Sequence, residues 1–424
     1  MTSRSPTDPA LRTARQRSSL VMLGLCLLFA AACDAPMGPS DGGTASPDAA
    51  CVMCGGACVD LQTDTRHCGA CDSACGPTQA CVAGRCDPPL PAADAGVADL
   101  AGGRDLSSPA DLSAPGDLAM MTPRRLCDAT PPAGAKVAPP PPTYAGTCPT
   151  LVSGKNTITS SGVARTFLLA IPSGVLPTEK LPVVFMWHWL GGSADSFRSK
   201  GQVQAAVDGQ RFLAILPESK GDIVWKWPFD QLQSAARMEE EFRFFDDMLA
   251  CAAEQFNVNN NCVSSVGVSA GALFTSQLAS GRSKTLASAL VLSGGVEGVA
   301  KPWTPAPHKL PVLVLWGGPM DNCLGLVNFE TASKALETAL VKDGHFLVEC
   351  QHNCGHAEPP LEAPMMLSKY AAFWEFVFAH PYWLNTGESP YKTTGLPSTF
   401  PSWCAVGKGS ATPRTGMCPD KPGC

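Results

Sequence analysis

One serine of this chain lies between two glycines, at the point where an apolar stretch gives way to a helical pattern. The run Val263-Ser264-Ser265-Val266-Gly267-Val268-Ser269-Ala270-Gly271 predicts a nucleophile elbow, a strained strand-to-helix turn that exposes the serine hydroxyl. Gly267 and Gly271 carry no Cβ and therefore leave room for this turn. Ser269 could then attack an acyl carbonyl, and the N–H of Ala270 would face the oxygen that becomes negative.

Two further side chains could activate this serine, which needs a base to remove its proton and an acid to orient that base. Asp321 lies in the loop after the apolar stretch Val312 to Trp316, and His356 lies in the loop after the next stretch, Phe346 to Glu349. The order Ser269, Asp321, His356 is the chain order of the α/β-hydrolases. We therefore predict a triad with Ser269 as nucleophile, His356 as base and Asp321 as the orienting acid.

Other residues could fill the two supporting roles. Glu297 follows the preceding apolar stretch and is the alternative acid, whereas His352 and His345 are the alternative bases. For either of these histidines, the simpler expectation is a solvent-exposed loop position. The alternative for the whole set is an inactive fold of the same class.

A glycine loop follows another apolar strand and could complete an oxyanion hole. Val183 to Trp187 reads as a buried strand that opens into His188-Trp189-Leu190-Gly191-Gly192. The backbone N–H of Trp189 or Leu190 is the predicted second donor beside Ala270. We expect His188 to shape the loop and to border the substrate rather than to transfer protons.

An aromatic element, Trp225-Lys226-Trp227, lies in the connection before a long helical pattern. Trp225 and Trp227 could stack on an aromatic acyl group or a sugar ring as substrate-binding residues. The alternative is that both rings pack as part of a lid.

The elements that position these residues alternate between apolar runs and amphipathic segments. Seven runs predict strands: Phe167 to Ile171, Val183 to Trp187, Phe212 to Leu216, Val263 to Val268, Ala289 to Leu292, Val312 to Trp316 and Phe346 to Glu349. Four segments predict helices: Ala236 to Gln255, Ala270 to Ser280, Asn328 to Val341 and Met365 to Ala379. This alternation predicts an α/β fold, a mostly parallel sheet with helices on both faces. Ligands bind such sheets beyond the carboxyl ends of the strands, where Ser269 lies.

The first 33 residues have the layout of an export signal. Four arginines precede an uninterrupted apolar run from Leu20 to Ala32, which is too short to span a bilayer. The run ends in Ala30-Ala31-Ala32-Cys33, which resembles a bacterial lipobox, so we predict cleavage before Cys33 and its lipidation. The protein would then be extracellular or periplasmic and anchored to a membrane. The alternative is ordinary signal cleavage without a lipid.

Twenty cysteines favour an oxidising compartment, and eight of them fall within residues 51–86. A segment of this size buries too little apolar surface to fold unaided, so we predict a disulfide-rich module. The spacing of Cys51 with Cys54 and of Cys68 with Cys71 leaves zinc as the alternative. The cysteine and glycine pattern resembles small modules near the N-terminus of many exported myxobacterial proteins.

A linker, a catalytic domain and a tail follow this module. Residues 87–142 are rich in Pro, Ala, Gly and Asp, and an Asp-Leu pair recurs there with a six-residue period. Such a composition predicts an extended tether. We assign residues 145–385 to the α/β-hydrolase domain and residues 386–424 to a tail that its cysteines attach to that domain.

From about Thr166 to Tyr382 the chain resembles the poly(3-hydroxybutyrate) depolymerase and feruloyl esterase group, the esterases sometimes called LpqC-like. The resemblance depends on four segments: His188 to Phe197, Trp225 to Trp227, Phe256 to Asn259 preceding Gly267 to Gly271, and Cys354 to His356 before Pro359. It implies secreted carboxylic ester hydrolysis, with Ser269, Asp321 and His356 at the triad positions. Trp189 replaces the glycine usual after the loop histidine, and Ala357-Glu358 replaces the residues that usually lead to a Trp-Pro.

The cysteines of the domain suggest two further ties. Cys251 and Cys262 flank the end of a helix and the elbow strand, so we expect them to pair. Cys323 follows Asp321 closely, and we expect it to pair with Cys350 or Cys354. Such a bond would connect the acid loop to the histidine loop and preorganise the triad.

With 424 residues, 45% hydrophobic, and a net charge of −6, the chain can form two or three domains, and nothing suggests nucleic-acid binding. The sequence predicts an exported serine esterase that needs no metal or organic cofactor. Its expected substrates are acyl or feruloyl esters linked to polysaccharides, or a hydroxyalkanoate polyester. The sequence leaves open whether the natural substrate is a polymer or a small ester. The alternatives are a serine peptidase of the same fold and a non-catalytic surface-binding protein.

Overall fold

The computed structural model describes residues 125–364 and 367–419, together with short stretches at 52–54, 57–59, 61, 64–68, 70–71, 73–75, 80–82 and 85–87. Contacts divide the chain into two compact units, residues 1–113 and 114–424. The predicted signal and Cys33, and residues 88–124 of the predicted tether, lie outside the described residues.

The first unit contains two small antiparallel hairpins. Strands β1 (Val52–Cys54) and β2 (Ala57–Val59) form one, and β3 (Ala80–Val82) and β4 (Arg85–Asp87) form the other. Disulfides join Cys54 to Cys71 and Cys68 to Cys81. Disulfides thus stabilise the described part of this module.

The second unit is built on one nine-stranded sheet with the strand order β15-β14-β11-β10-β9-β7-β8-β6-β5. The strands from β8 to β14 in this order run parallel, whereas β5, β6 and β15 are antiparallel to their neighbours. Their bounds are β5 (Gly154–Ser160), β6 (Val163–Ala170), β7 (Leu181–Trp187), β8 (Leu213–Pro217), β9 (Val258–Val268), β10 (Ser288–Leu292), β11 (Val312–Trp316), β14 (Leu347–Gln351) and β15 (Cys404–Val406). A separate hairpin consists of β12 (Asn322–Cys323) and β13 (Val327–Asn328).

Helices cover both faces of this sheet. They are α1 (Ala194–Lys200), α2 (Val203–Gln210), α3 (Ala235–Gln255), α4 (Ala270–Gly281), α5 (Phe329–Asp343), α6 (Ala371–Ala379) and α7 (Tyr391–Thr394). One apolar layer packs α3, α4 and α5 against the sheet, and a second packs α1, α2 and α6 against the opposite face. Side chains alternate between the faces along each strand, and this alternation keeps the two layers apart. The arrangement is the α/β-hydrolase fold predicted from the sequence.

All seven predicted strands are present, and each predicted bound lies within a few residues of the observed one. The predicted helix from Met365 begins only at Ala371, and Met365 itself lies outside the described residues. The sequence analysis missed β5, β15, α1 and α2. These elements are short or lie at a sheet edge, where the apolar periodicity is weak.

The predicted Cys251–Cys262 disulfide is wrong. Cys251 pairs with Cys148, and Cys262 pairs with Cys127. Cys251 belongs to the apolar layer under α3, whereas Cys262 belongs to the layer on the other face. The sheet therefore separates two cysteines that are close in sequence.

These bonds also move the start of the catalytic unit. Residues 125–142 belong to the predicted linker, but Cys127 is buried and bonded to Cys262. The N–H of Ala138 donates to Asn261 Oδ1 at 2.8 Å. This segment therefore packs on the body instead of extending from it.

The predicted pairing of Cys323 with Cys350 or Cys354 is also wrong. Cys350 pairs with Cys404, and Cys354 pairs with Cys418, while Cys323 is disulfide-bonded elsewhere. Both bonds attach the tail to the strand and loop that lead to His356. The expectation that disulfides attach the tail to the domain is confirmed.

Among the described residues, none of the helices combines the length and the apolar character that crossing a bilayer requires.

Candidate active site

Ser269 occupies the sharp turn between β9 and α4. Its backbone has φ 55° and ψ −118°, a conformation that residues other than glycine rarely adopt. Such a conformation occurs where the surrounding fold enforces it. A Cβ added to Gly271 would lie 2.0 Å from the carbonyl oxygen of Trp187, and one added to Gly267 would lie 2.2 Å from that of Gly271. The two glycines are therefore required because strand and helix approach closely here.

A continuous hydrogen-bonded chain links the three predicted triad residues. The hydroxyl of Ser269 lies 2.9 Å from His356 Nε2, and His356 Nδ1 lies 2.6 Å from Asp321 Oδ1. The carboxylate accepts only if Nδ1 carries the ring proton, which leaves Nε2 free to accept from Ser269. This tautomer is the one that a general base beside a serine requires.

The carboxylate of Asp321 is fully buried, and its second oxygen accepts two hydrogen bonds. Oδ2 accepts from the hydroxyl of Ser293 at 2.8 Å and from the N–H of Gly317 at 2.7 Å. These two donors fix the orientation of the carboxylate. Ser293 directly follows β10 and has φ 51°. It was not among the predicted site residues, because a lone serine after a strand gives no signal.

Phe329 is a second residue that the sequence analysis missed. Its ring stacks on that of His356, with centroids 4.3 Å apart and planes 9° from parallel. Its N–H donates to the backbone oxygen of Asp321 at 2.9 Å. One residue at the start of α5 thus supports both partners of Ser269.

The rival bases and the rival acid are not part of the hydrogen-bonded set formed by Ser269, His356 and Asp321. His352 and His345 are buried, so the expected exposed positions are wrong. Burial lowers the pKa of His352 to about 4 and also lowers that of His345. The ring of His345 contacts the Leu310 oxygen and Asp343, and Glu297 is exposed. None of the three contacts Ser269.

The predicted oxyanion donors lie beside the serine. Ala270 is the first residue of α4, so its N–H has no acceptor within the helix. Trp189 and Leu190 line the same cavity as Ser269, and the N–H of Gly192 closes their turn on the Trp189 oxygen at 3.0 Å. Among the described residues, no protein atom accepts from the N–H of Leu190. The N–H of Trp189 likewise has no protein acceptor there, so Trp189 and Leu190 are both candidates for the second donor.

His188 and Trp227 position this loop and do not face substrate. Neither side chain has exposed surface, so the predicted substrate contacts are wrong for both. The indole N–H of Trp227 donates to the backbone oxygen of His188 at 2.8 Å. His188 Nδ1 lies 2.9 Å from the Trp189 oxygen, and its Nε2 lies 3.3 Å from Glu218. The expectation that His188 shapes the loop agrees with these contacts.

Glu218, another residue without a sequence signal, connects the loop to the next helix. Its Oε2 accepts from the N–H of Ala194, the first residue of α1, at 2.9 Å. Burial raises the pKa of Glu218, but contacts with His188 and with that N–H outweigh the effect and bring the pKa below its usual value.

Trp225 is half-buried against Phe229 and does not line the cavity.

A cavity of about 500 Å³ opens beside Ser269 and His356. Most of its wall is apolar and comes from strand ends and from α2 and α6: Val203, Val266, Leu292, Leu315, Phe373 and Trp374. A cavity of this size can hold most of a small organic ester.

Polar groups occupy the side of the cavity that follows His356. Tyr370 donates its hydroxyl to Glu358 Oε1 at 2.6 Å, and Lys369 pairs with the same carboxylate. Burial raises the pKa of Glu358, but its contacts with Lys369 and Tyr370 outweigh that effect, and the pKa lies below its usual value. The cavity thus has one polar side and one apolar side.

Comparisons with known proteins match the two units separately. The model of the stigma-specific STIG1-like protein family matches residues 45–88, within the first unit. No curated protein matches the chain. Solved structures similar to it include native pOPH, with 17% identity, 62% of this chain and 97% of that chain covered, and a TM-score of 0.48.

Two esterases are also similar in structure. A ferulic acid esterase has 14% identity, with 53% of this chain and 96% of that chain covered, and a TM-score of 0.39. The ferulic acid esterase AmCE1/Fae1A from Anaeromyces mucronatus, solved with ferulic acid, has 14% identity, coverage of 47% and 81%, and a TM-score of 0.36.

Proposed function

We propose that this protein is a serine carboxylic ester hydrolase that works through an acyl-enzyme. The observation that carries the proposal is the hydrogen-bonded chain from Ser269 through His356 to Asp321, which ends in a cavity large enough for an ester. A buried carboxylate, an imidazole in the tautomer of a base and a strained serine together match what nucleophilic acyl transfer needs.

In the first half-reaction, Ser269 Oγ attacks the ester carbonyl while His356 Nε2 takes its proton. The carbonyl oxygen becomes negative, and it is stabilised by the N–H of Ala270 and by that of Trp189 or Leu190. The tetrahedral intermediate then collapses, the bond to the alcohol oxygen breaks, and His356 returns the proton to that oxygen. The alcohol leaves, and the acyl group remains on Ser269.

Water completes the cycle by the same route. His356 removes a proton from water as its oxygen attacks the acyl carbonyl, and the proton returns to Ser269 Oγ when the acid is released. Asp321 keeps its negative charge throughout and stabilises the imidazolium that forms in both steps.

The cavity favours esters with an apolar organic group, because most of its wall consists of aliphatic and aromatic side chains. Feruloyl esters and short hydroxyalkanoate oligomers both have this character. They are the substrates that we propose to test first, with acetylated sugars as a small polar comparison.

We also propose that the protein is exported and attached to a membrane through a lipid on Cys33. The basic and apolar residues before Cys33 support this proposal, and so do the disulfides in both units. In cell fractionation, a Cys33→Ala variant should move from the membrane fraction to the soluble exported fraction. Equal partitioning of the variant and the native protein would refute the anchor.

The esterase proposal is tested with the oxidised protein and short-chain p-nitrophenyl esters. Ser269→Ala should lower kcat by about 10^4-fold or more, since the loss of a triad member leaves only binding and oxyanion stabilisation. Ser276→Ala is the matched control, because Ser276 is a buried serine of the same helix that bonds only to the Ala272 oxygen. Equal activity of the Ser269 variant and the native protein would exclude the proposed nucleophile.

A further inference from the structure

The side chain of Trp189 is held in one place on the cavity wall. Its ring lies against Gly192, where an added Cβ would come within 2.8 Å of ring atoms. The ring of Phe197 packs against it with centroids 6.0 Å apart, and the ammonium of Lys200 lies 5.2 Å from its centre. Packing on two sides and a cation–π contact therefore fix this ring.

The chemistry of the site decides which part of an ester this ring meets. His356 must reach the leaving oxygen to protonate it, so the alcohol lies on the side of His356. That side continues into Glu358 and Tyr370, which are polar. The carbonyl oxygen points to the N–H of Ala270 and to the loop N–H of Trp189 or Leu190, and the acyl chain takes the remaining direction.

The loop that carries Trp189 borders the same cavity, beside the apolar side chains of Phe197 and Val203. The polar side meets this wall only at the end of α1, where the Tyr370 hydroxyl lies 3.0 Å from the Lys200 oxygen. Trp189 is the largest side chain of the loop, and an acyl chain that follows the apolar wall passes its indole ring.

We propose that Trp189 determines the length of the acyl chain that this site accepts. The inference rests on the proposed ester hydrolysis. The ring fills space that a longer acyl chain would need, and its contacts with Gly192, Phe197 and Lys200 prevent it from moving aside. Short acyl groups fit beside the ring, and longer ones fit only when it is removed or displaced.

Two variants change the ring in different ways. Trp189→Ala removes the indole ring. Gly192→Ala keeps the ring but adds a Cβ so close to it that the ring must move. Gly192 does not have a positive φ, so alanine is conformationally allowed there. Trp189→Phe keeps a ring, and Trp383→Ala is the matched control, a half-buried tryptophan outside the cavity.

The measurement is kcat/KM for p-nitrophenyl esters with acyl chains of two to twelve carbons. Each methylene that gains a place in the cavity contributes about fourfold. We therefore expect Trp189→Ala to raise the ratio of decanoate to butyrate turnover at least about tenfold. Gly192→Ala should shift the ratio in the same direction, while Trp189→Phe and Trp383→Ala should keep the native ratio.

A uniform fall for every chain length in Trp189→Ala would overturn the inference, because it would indicate only a loop-positioning role. An unchanged profile would overturn it as well. A series of acetate esters with lengthening alcohols separates the two sides of the cavity, and a shift confined to that series would assign Trp189 to the alcohol. In each of these cases the native protein still shows Ser269-dependent hydrolysis, whereas failure of the proposed function would remove that activity altogether.

Discussion

The substitution Asp321→Asn tests the triad with almost no change in shape. Oδ2 of Asp321 accepts from two donors, the Ser293 hydroxyl and the Gly317 N–H, and Oδ1 accepts from His356. An asparagine has one oxygen and one NH₂ group for these three donors. Its lowest-energy orientation points the oxygen at Ser293 and Gly317 and the NH₂ at His356 Nδ1. The ring proton then moves to Nε2, which can no longer accept from Ser269.

The size of the effect follows from these contacts. The productive tautomer requires the reversed amide, which leaves the buried N–H of Gly317 unsatisfied at about 1 to 3 kcal/mol. A neutral amide oxygen also replaces a charged acceptor for the imidazolium, which adds about 1.5 to 3 kcal/mol. The sum is about 3 to 6 kcal/mol, or roughly 10^2- to 10^4-fold in kcat.

The assay is steady-state hydrolysis of p-nitrophenyl butyrate, with circular dichroism to confirm folding. KM should change little, because Asp321 does not line the cavity. Ser293→Ala, which removes one donor to the carboxylate, should lower kcat by about tenfold. Glu297→Gln is the control for the rival acid and should match the native protein. A loss below tenfold in Asp321→Asn, or an equal loss in Glu297→Gln, would refute the assignment.

Three further predictions concern the elbow, a buried acid and the tail. Gly271→Ala should lower the melting temperature strongly, because its Cβ would meet a backbone oxygen at 2.0 Å, whereas Gly209→Ala in open space should be neutral or slightly stabilising. Burial and the charge of a neighbouring acid raise the pKa of Glu337 from 4.5 to about 8. Native Glu337 then keeps a proton that the unfolded chain loses, so stability falls as pH rises between these values, and Glu337→Gln should remove this fall in urea titrations. Replacing Cys354 and Cys418 together by serine should lower stability by about 2 to 4 kcal/mol and also lower kcat, because the bond lies two residues from His356.

Each of these predictions has an opposite result that would contradict it. A Gly271→Ala protein that melts like the native one would mean that strand and helix do not approach as described. A native pH dependence in Glu337→Gln would assign the stability change to other groups. An unchanged kcat in the variant with serine at positions 354 and 418 would show that the Cys354–Cys418 bond supports the fold without positioning His356.

The triad could be predicted from the sequence because each of its parts depends on a local pattern. The elbow requires glycines on both sides of Ser269, and in a parallel sheet the loops after β11 and β14 meet at the same edge. Asp321 and His356 were therefore found from their positions after apolar strands. Ser293 and Phe329 were not found, since their contacts depend on three-dimensional packing and have no sequence spacing of their own.

The partners of Cys251 and Cys262 could not be predicted, because the face of the sheet on which a cysteine lies decides its partner. Cys251 and Cys262 are only a few residues apart, yet they belong to opposite apolar layers. Their partners, Cys148 and Cys127, come from a segment rich in proline that has no helical or strand periodicity. A proline-rich composition therefore does not by itself distinguish a tether from a segment that packs on a domain.

The tryptophans show a second limit of sequence reasoning. Trp225 and Trp227 are two residues apart and share the same neighbours in the sequence, but only Trp227 is fully buried and bonded to the oxyanion loop. Trp189 lies in the cavity wall instead. Aromatic residues near a site can thus support it or line it, and burial decides between the two.

The most direct test of the account is covalent labelling by a p-nitrophenyl alkylphosphonate, which imitates the tetrahedral intermediate of ester hydrolysis. Intact-mass and peptide analysis should find one phosphonyl group per chain, on Ser269, with loss of activity in the same proportion. His356→Ala should slow the labelling by several orders of magnitude, because the serine then lacks its base. A folded, active protein that remains unlabelled, or that carries the group on another residue, would contradict the assignment of Ser269 as the nucleophile.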